Sequence, residues 1–456
     1  MTQKKLVALA LADTFLSRDA TLAGLIESAT WCLGQKWQWI PSLCKALKKR
    51  TGENFYYFSR DELVDLILDH PGFNKAWLGT GQAPQIAHYC LSLPISTEKP
   101  NWLSALSLPT LETTADLAIW FNVSLGDLQW FADKWRESAH MTTSLQHYHH
   151  RWLEKKSGGL RLIESPKSRL CAMQKHILRN LLDLIPPHQA AHGFRRFHSS
   201  VTHASLHTGK RVVIRMDLKN FFTSIPAERV TGLFLKLGYS THVAGTLARL
   251  CTYRTPNHVL HKPEILNAFP WQERMAYRTR HLPQGSPTSP ALANLSAFRL
   301  DMRLDALAKS LNATYSRYAD DLVFSGNVEL KQAMDRIHIQ VAAIALEEGF
   351  SVNTRKTRMM LTGTRQQVTG IVVNRHPNIA RKDFDILKAT LTNCIRHGPT
   401  SQNKEDRKNF QKFIAGKVAY VQMVNPQRGK RLRQLFEKIS WVESDGIALY
   451  GQASRD

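Results

Sequence analysis

The chain has no pair of cysteines at CxxC spacing. Its six cysteines, Cys32, Cys44, Cys90, Cys171, Cys251 and Cys394, are scattered over 456 residues. Neither a structural zinc site nor a disulfide framework is indicated, and a reducing, cytoplasmic location is expected. No apolar run approaches the roughly 20 residues that cross a bilayer, so no membrane association is expected. Lys4 and Lys5 before the apolar stretch 6–12 mimic a secretory signal, but Asp13 breaks the run and no small-residue cleavage site follows. Acidic residues are scarce: 37 Asp and Glu against 61 Lys and Arg leave a net charge of +24. The basic residues are spread along the chain and not gathered on one amphipathic helix, which points to nucleic acid more than to a membrane surface. A hydrophobic content of 43% with 11 Trp excludes wholesale disorder, and the length allows two to four domains.

Residues 1–95 read as a helical extension, in which Lys48, Lys49 and Arg50 are either phosphate contacts or a solvated helix face. Residues 96–145 read as a linker, rich in Ser, Pro and Thr from Ser92 to Pro109, and a small helical subdomain. There Leu117, Trp120, Phe121, Leu128, Trp130 and Phe131 around Gly126 outline two short helices meeting at a turn, either a packing subdomain or a helix-turn-helix. Residues 148–163 read as two strands joined at Gly158 and Gly159, with Arg161 projecting from the second. A helical stripe of Met173, Ile177, Leu178, Leu181, Leu182 and Ile185 runs to Pro186. His147, His149 and His150 have no carboxylate partner on their strand, which favours surface or nucleic-acid contact over a metal.

Four later segments carry the chemistry. Residues 211–217 form a buried-looking strand ending in Asp217, and Phe221 and Phe222 follow. Residues 282–290, Leu-Pro-Gln-Gly-Ser-Pro-Thr-Ser-Pro, are a turn-rich stretch opening a helix, whose free amides suit phosphate. Residues 313–324 read as two strands meeting at Asp320 and Asp321. Residues 367–374 read as a strand interrupted by Gly370. Adjacent carboxylates at a partly buried hairpin repel and lose hydration, a cost that a divalent cation relieves. Magnesium takes oxygen ligands and shares them with phosphates, and a third carboxylate at Asp217 would complete a two-ion site for nucleotidyl transfer.

These motifs resemble the reverse transcriptases. The Tyr318-Ala319-Asp320-Asp321 box is that family's signature, the Asp217 strand with its aromatics matches the first catalytic block, and residues 282–290 match a third. The resemblance spans about residues 146–440, including His192-Gly193-Phe194 and the run from Asn353 to Lys356. It implies an α+β right-hand polymerase, with fingers and an antiparallel palm over 146–378, a helical thumb over 379–440 and a tail over 441–456. Asp217, Asp320 and Asp321 then correspond to the catalytic metal-binding acids for two Mg²⁺ ions. Arg161 corresponds to a grip on the incoming deoxynucleoside triphosphate. Phe222 corresponds to the steric gate, an ordinary core aromatic being the other reading. Gln284 and Gly285 would line the nucleotide pocket, and Lys356 would bring a proton or charge to the pyrophosphate.

Two elements resemble the retron branch: the triplet Val368-Thr369-Gly370, and His203-Ala-Ser-Leu-His207, which has His where that branch has Asn. The resemblance implies a cognate structured noncoding RNA bound through His203, His207, Val368, Thr369 and Gly370. Its 2′-hydroxyl, on a guanosine, would prime synthesis of branched multicopy single-stranded DNA. The branch serves antiphage defence with a separately encoded effector. On physical grounds the stripe Phe410, Phe413, Ile414, Val418, Val421 and Val424 leaves its lysines off the apolar face, and the run Arg428, Lys430, Arg431 adds a basic surface for RNA. The alternatives are a non-retron bacterial reverse transcriptase, intron-encoded or defence-associated, and an inactive RNA-binding scaffold.

Overall fold

The computed structural model describes residues 2–17, 20–51, 60–78, 83–90, 105–133, 145–155, 159–261 and 271–441, with Phe55, Phe58, Ile265 and Phe269. Most of the expected linker, residues 91–104, lies outside the described residues, as do Gly158 and residues 442–456. The chain divides into two compact units, residues 1–187 with 220–296 and residues 188–219 with 297–456.

The first unit begins with helices Gln3–Ser17, Leu22–Leu33, Ile40–Thr51, Arg60–Leu68 and Pro71–Lys75, closed over Val7, Leu11, Phe15, Leu25, Leu43, Ile67 and Phe73. Thr21 caps the second helix by accepting the Gly24 N–H at 3.1 Å. Gly34 ends it at φ 70°, where a Cβ would lie 2.6 Å from that of Ala87. Lys48, Lys49 and Arg50 fill the last turn of Ile40–Thr51, where cations offset unpaired carbonyls. Helices Thr114–Phe121 and Leu125–Phe131 form the expected pair, but the turn lies at Asn122, φ 52°, and Gly126 sits inside the second helix. Strands β1 (Tyr148–Glu154) and β2 (Leu160–Pro166) pair antiparallel, Glu154 opposite Leu160. The following helix is Ser168–Asn180. It breaks at Leu181, φ −135°, and the stripe continues through a 3₁₀ turn, Leu182–Leu184, that buries Leu182 and leads to Ile185. Of the three neighbouring histidines only His149 is exposed; His147 is buried with Nε2 2.9 Å from the Trp130 carbonyl.

The second unit is built on a four-stranded sheet in the order β4-β5-β3-β6, antiparallel throughout: β3 Val212–Asp217, β4 Thr314–Tyr318, β5 Asp321–Gly326 and β6 Arg358–Leu361. Helix Phe298–Ser310 buries Leu300, Leu304 and Ala308 and packs on β4. The segment 367–374 is not one interrupted strand. Strands β7 (Gln367–Val368) and β8 (Ile371–Val372) pair across Thr369, φ 46°, and Gly370, φ 85°. Two consecutive positive φ values make the tight turn that folds a strand back on itself. Helices Arg381–His397, Phe410–Val424 and Pro426–Glu437 share a core of Leu387, Leu391, Ile414, Val418, Val421 and Leu432. Among the described residues no helix is long and apolar enough to cross a membrane.

Candidate active site

The sheet of the second unit brings three acids to one corner. Strand β3 ends on Asp217 and β5 begins on Asp321, and the two are register partners. Strand β4 ends at Tyr318, so Ala319 and Asp320 form the connecting turn, with Ala319 at φ 57°. Backbone bonds lock the corner: the Leu218 N–H donates to the Asp320 carbonyl at 2.9 Å and the Asn353 N–H to the Asp217 carbonyl at 2.6 Å. Burial, then the charges of Asp217 and Asp321, push the Asp320 carboxyl up to about 6. Asp321 is also raised by burial, opposed by Arg215, whose Nε and Nη2 grip both of its oxygens at 2.7 to 3.0 Å. Lys356, on the 3₁₀ turn Thr354–Lys356, spans both oxygens of Asp217 at 3.0 and 3.1 Å.

The first unit holds the other expected nucleotide residues. Arg161 is exposed on β2, and Phe222 is half-buried with its ring 5.7 Å from that of Phe221. The Gln284 carbonyl accepts the Glu164 N–H at 2.9 Å. Gly285 stands at φ 136°, where a Cβ would lie 2.9 Å from the Glu164 carbonyl oxygen, so no larger residue fits without backbone movement. Beneath this turn Glu164 is fully buried, accepting from Thr255 at 2.6 Å and paired with His281 at 2.9 Å.

His203 and His207, expected at the RNA, lie inside the second unit. Both side chains are 0% exposed. His207 is bonded on both ring nitrogens, Nδ1 to Ser325 at 2.7 Å and Nε2 to Ser316 at 2.6 Å, so it ties β4 to β5 from inside the unit. Burial pushes His203 down to about 2 and His207 to about 3, which keeps both neutral. Val368 is likewise buried, Thr369 donates to the Ser200 carbonyl at 3.3 Å, and Gly370 is exposed. Lys430 and Arg431 are exposed on the last helix, while Arg428 is half-buried with its guanidinium 4.9 Å from the Phe384 ring.

Residues 153–391 match the reverse transcriptase (RNA-dependent DNA polymerase) family. Retron Mx65 reverse transcriptase of Myxococcus xanthus is 38% identical over 331 residues, covering 72% of each chain. Retron Mx162 reverse transcriptase of the same organism is 35% identical over 345 residues, 73% of this chain and 68% of that one. The chain belongs to the retron-type reverse transcriptases. Retron Ec86 reverse transcriptase of Escherichia coli is a more distant relative, 28% identical over 61% of this chain and 77% of its own. This reverse transcriptase is an RNA-directed DNA polymerase, and its family fold is the right-hand polymerase.

Reverse transcriptases work with divalent metal ions. Among the described residues no group of three or more His, Cys, Asp or Glu is arranged to hold one. Asp321 is paired with Arg215 and Asp217 with Lys356. The donor chemistry nevertheless fits a hard cation, with carboxylate oxygens from the ends of two paired strands and a third carboxyl, Asp320, that burial and like charge make costly to ionise alone. Arg215, Arg317, Asp301, Glu164 and His281 escaped the reading of the sequence. Arg215 was findable, because the strand period of two puts residues 215 and 217 on one face.

Proposed function

We propose that this reverse transcriptase recognises a structured noncoding RNA encoded beside it and primes on a guanosine 2′-hydroxyl in that RNA. It then copies part of the RNA into branched multicopy single-stranded DNA. It does so in the cytoplasm, as part of antiphage defence with a separately encoded effector. Residues 146–378 act as fingers and palm, residues 379–440 as thumb, residues 1–95 and 96–145 as a helical extension with its linker, and residues 441–456 as a tail. The observation that carries the catalytic reading is the convergence of Asp217, Asp320 and Asp321 at one corner of one sheet.

Asp217, Asp320 and Asp321 would hold two Mg²⁺ ions, whose chemistry when bound is to activate the attacking hydroxyl and neutralise the leaving pyrophosphate. Arg215 holds the Asp321 carboxylate in a fixed plane and offsets one charge of the acidic corner. Lys356 pairs with Asp217, and its long side chain, 48% exposed, can swing to bring charge or a proton to the pyrophosphate. Arg161 grips the triphosphate, Phe222 excludes a ribose 2′-hydroxyl, and Gln284 with Gly285 lines the nucleotide pocket. Lys430 and Arg431 with Arg428 present cations to the RNA backbone, which makes binding steeply salt-dependent. Thr369 and Gly370 shape the turn beside the core of the last three helices.

The test is Asp320→Ala in the full-length protein. Incorporation of deoxynucleotides on an RNA template is expected to fall below detection while RNA binding by filter retention persists. Continued synthesis by the variant would remove the catalytic reading. Sequencing the nucleic acid that copurifies with the protein, and finding no branched RNA–DNA molecule, would remove the priming reading alone.

A further inference from the structure

The turn that carries Asp320 is strained, and what holds it lies beneath it. Ala319 sits at φ 57°, a left-handed region that is unfavourable for a residue with a side chain. Such a turn persists only where its surroundings over-determine it. Three contacts do so within the second unit. Gly193 backs onto the turn so closely that a Cβ there would lie 2.6 Å from the Ala319 nitrogen. Strand β4 is anchored on its outer side, the Arg317 N–H donating to the Ala190 carbonyl at 2.7 Å and the Arg317 carbonyl accepting the His192 N–H at 2.8 Å. The third contact is the Arg317 side chain.

Arg317 and Asp301 are both 0% exposed. Two guanidinium nitrogens make a fork on the carboxylate, Nε to Oδ1 at 2.7 Å and Nη2 to Oδ2 at 2.6 Å, and the Tyr315 hydroxyl donates to Oδ1 at 2.8 Å. That fork neutralises the pair. The remaining nitrogen, Nη1, donates to the carbonyl of Ala319 at 3.0 Å. This carbonyl belongs to the peptide that enters Asp320. The peptide that leaves Asp320 is fixed by the Leu218 N–H, which donates to the Asp320 carbonyl at 2.9 Å. With both flanking peptide planes held, the direction of the Asp320 Cα–Cβ bond is set.

A buried ion pair is a poor way to stabilise a fold, since apolar residues of similar volume often do as well or better. A guanidinium offers what they lack, a further fixed donor pointing at a chosen carbonyl. We propose that Arg317 is a positioning residue, which, held by Asp301, fixes the Ala319–Asp320 peptide and so aims the Asp320 carboxylate at the reaction centre. This rests on the reading of Asp320 as a catalytic acid given above.

The experiment compares Arg317→Lys, the paired variant Arg317→Met with Asp301→Leu, and Asp320→Ala, each as the full chain on an RNA template with a DNA primer. Pre-steady-state incorporation separates the burst amplitude, which counts active molecules, from the burst rate, which reports the chemistry at each one. A misplaced reacting group costs on the order of 100-fold in rate. For Arg317→Lys and for the paired variant, the burst rate is expected to fall by about that factor, with KM for the deoxynucleotide and the amplitude unchanged. A merely structural pair would lower the amplitude and leave the rate per active molecule alone. Wild-type burst rates in either variant, or a loss confined to amplitude, overturn the proposal. So does failure of both variants to fold, because the pair would then serve the fold and not the turn. Activity retained in Asp320→Ala would instead overturn the site itself. Loss in Asp320→Ala beside an unchanged rate in Arg317→Lys would overturn the positioning role alone.

Discussion

The turn at Ala319 in the second unit and the turn at Gly285 in the first each lie beside a hydrogen-bonded pair of side chains with 0% exposure, Arg317 with Asp301 and His281 with Glu164. The braces reach their turns differently. At Ala319 a side chain makes the contact, Arg317 Nη1 on the turn carbonyl. At Gly285 the backbone makes it: the Glu164 N–H donates to the Gln284 carbonyl, and the buried carboxylate below only anchors β2. The strained positions are matched to this difference. Ala319 keeps its Cβ because φ near 57° is the left-handed helical region, which a small residue tolerates. Gly285 carries none, because φ 136° strains any side chain and the Glu164 carbonyl, 2.9 Å from a Cβ there, would have to shift. A turn held by a side chain is therefore vulnerable at the residues beneath it, and a turn held by backbone is vulnerable at its own glycine.

The largest effect that would test this contrast is on stability. Asp301→Ala leaves the Arg317 charge buried without its partner, and removing one member of a buried pair costs about 3 to 5 kcal/mol. The second unit is expected to melt well below the wild type, by calorimetry or by protease resistance of its sheet. A variant as stable as the wild type would mean that water reaches Arg317, and the contrast with Gly285 would fail.

Gly285→Ala probes the other turn and is expected to do less. Moving a residue with a Cβ into such backbone costs about 1 to 3 kcal/mol, and the Glu164 carbonyl must shift to admit it. If the turn lines the nucleotide pocket, KM for the deoxynucleotide rises on the order of tenfold, about 1.4 kcal/mol of lost binding, with the burst rate little changed. A burst rate that collapses with KM unaltered would make the two turns alike in function and remove the distinction.

Much of this architecture was legible in the sequence, and the reasons are local. The apolar runs in residues 212–217 and after Asp321 mark strands whatever surrounds them, and adjacent acids between strands mark a turn. The three acids therefore stood out before any coordinates. Of their counter-charges Lys356 did too, whereas Arg215 and the buried pair beneath the turn did not. Asp301 falls within an amphipathic helix, where an acid ordinarily faces solvent, and only the packing of that helix on β4 brings it to Arg317. The RNA role expected at residues 203 and 207 came from the likeness of that run to a retron element, which carries no information on burial; His203 lies on the helix Ser200–Ser205 and His207 just past its end, both with 0% exposure. The fold-back at Thr369 was invisible because a β-branched residue rarely takes positive φ.

The smallest expected effect separates fixed charge from titratable support in the same hairpin. Arg317 keeps its charge at any working pH, so its brace does not weaken on mild acidification. The histidines beneath the hairpin behave otherwise. Burial holds His203 down to about 2 and His207 to about 3, against an unfolded value of 6.5. A neutral buried imidazole contributes stability that is fully present above 6.5 and is lost as pH falls below it, because only the unfolded chain then takes up the proton. Between pH 7 and pH 5.5 each such histidine costs about 1 kcal/mol of stability. His203→Asn removes one of these protons. The smaller side chain also leaves space, but that penalty is the same at both pH values and cancels in the difference. The variant is therefore expected to lose about 1 kcal/mol less than the wild type over this interval, measured as the shift in urea midpoint multiplied by the slope. Equal losses in the two proteins would mean that His203 is protonated within the fold, and that the hairpin rests on a charged histidine as well as on a charged arginine.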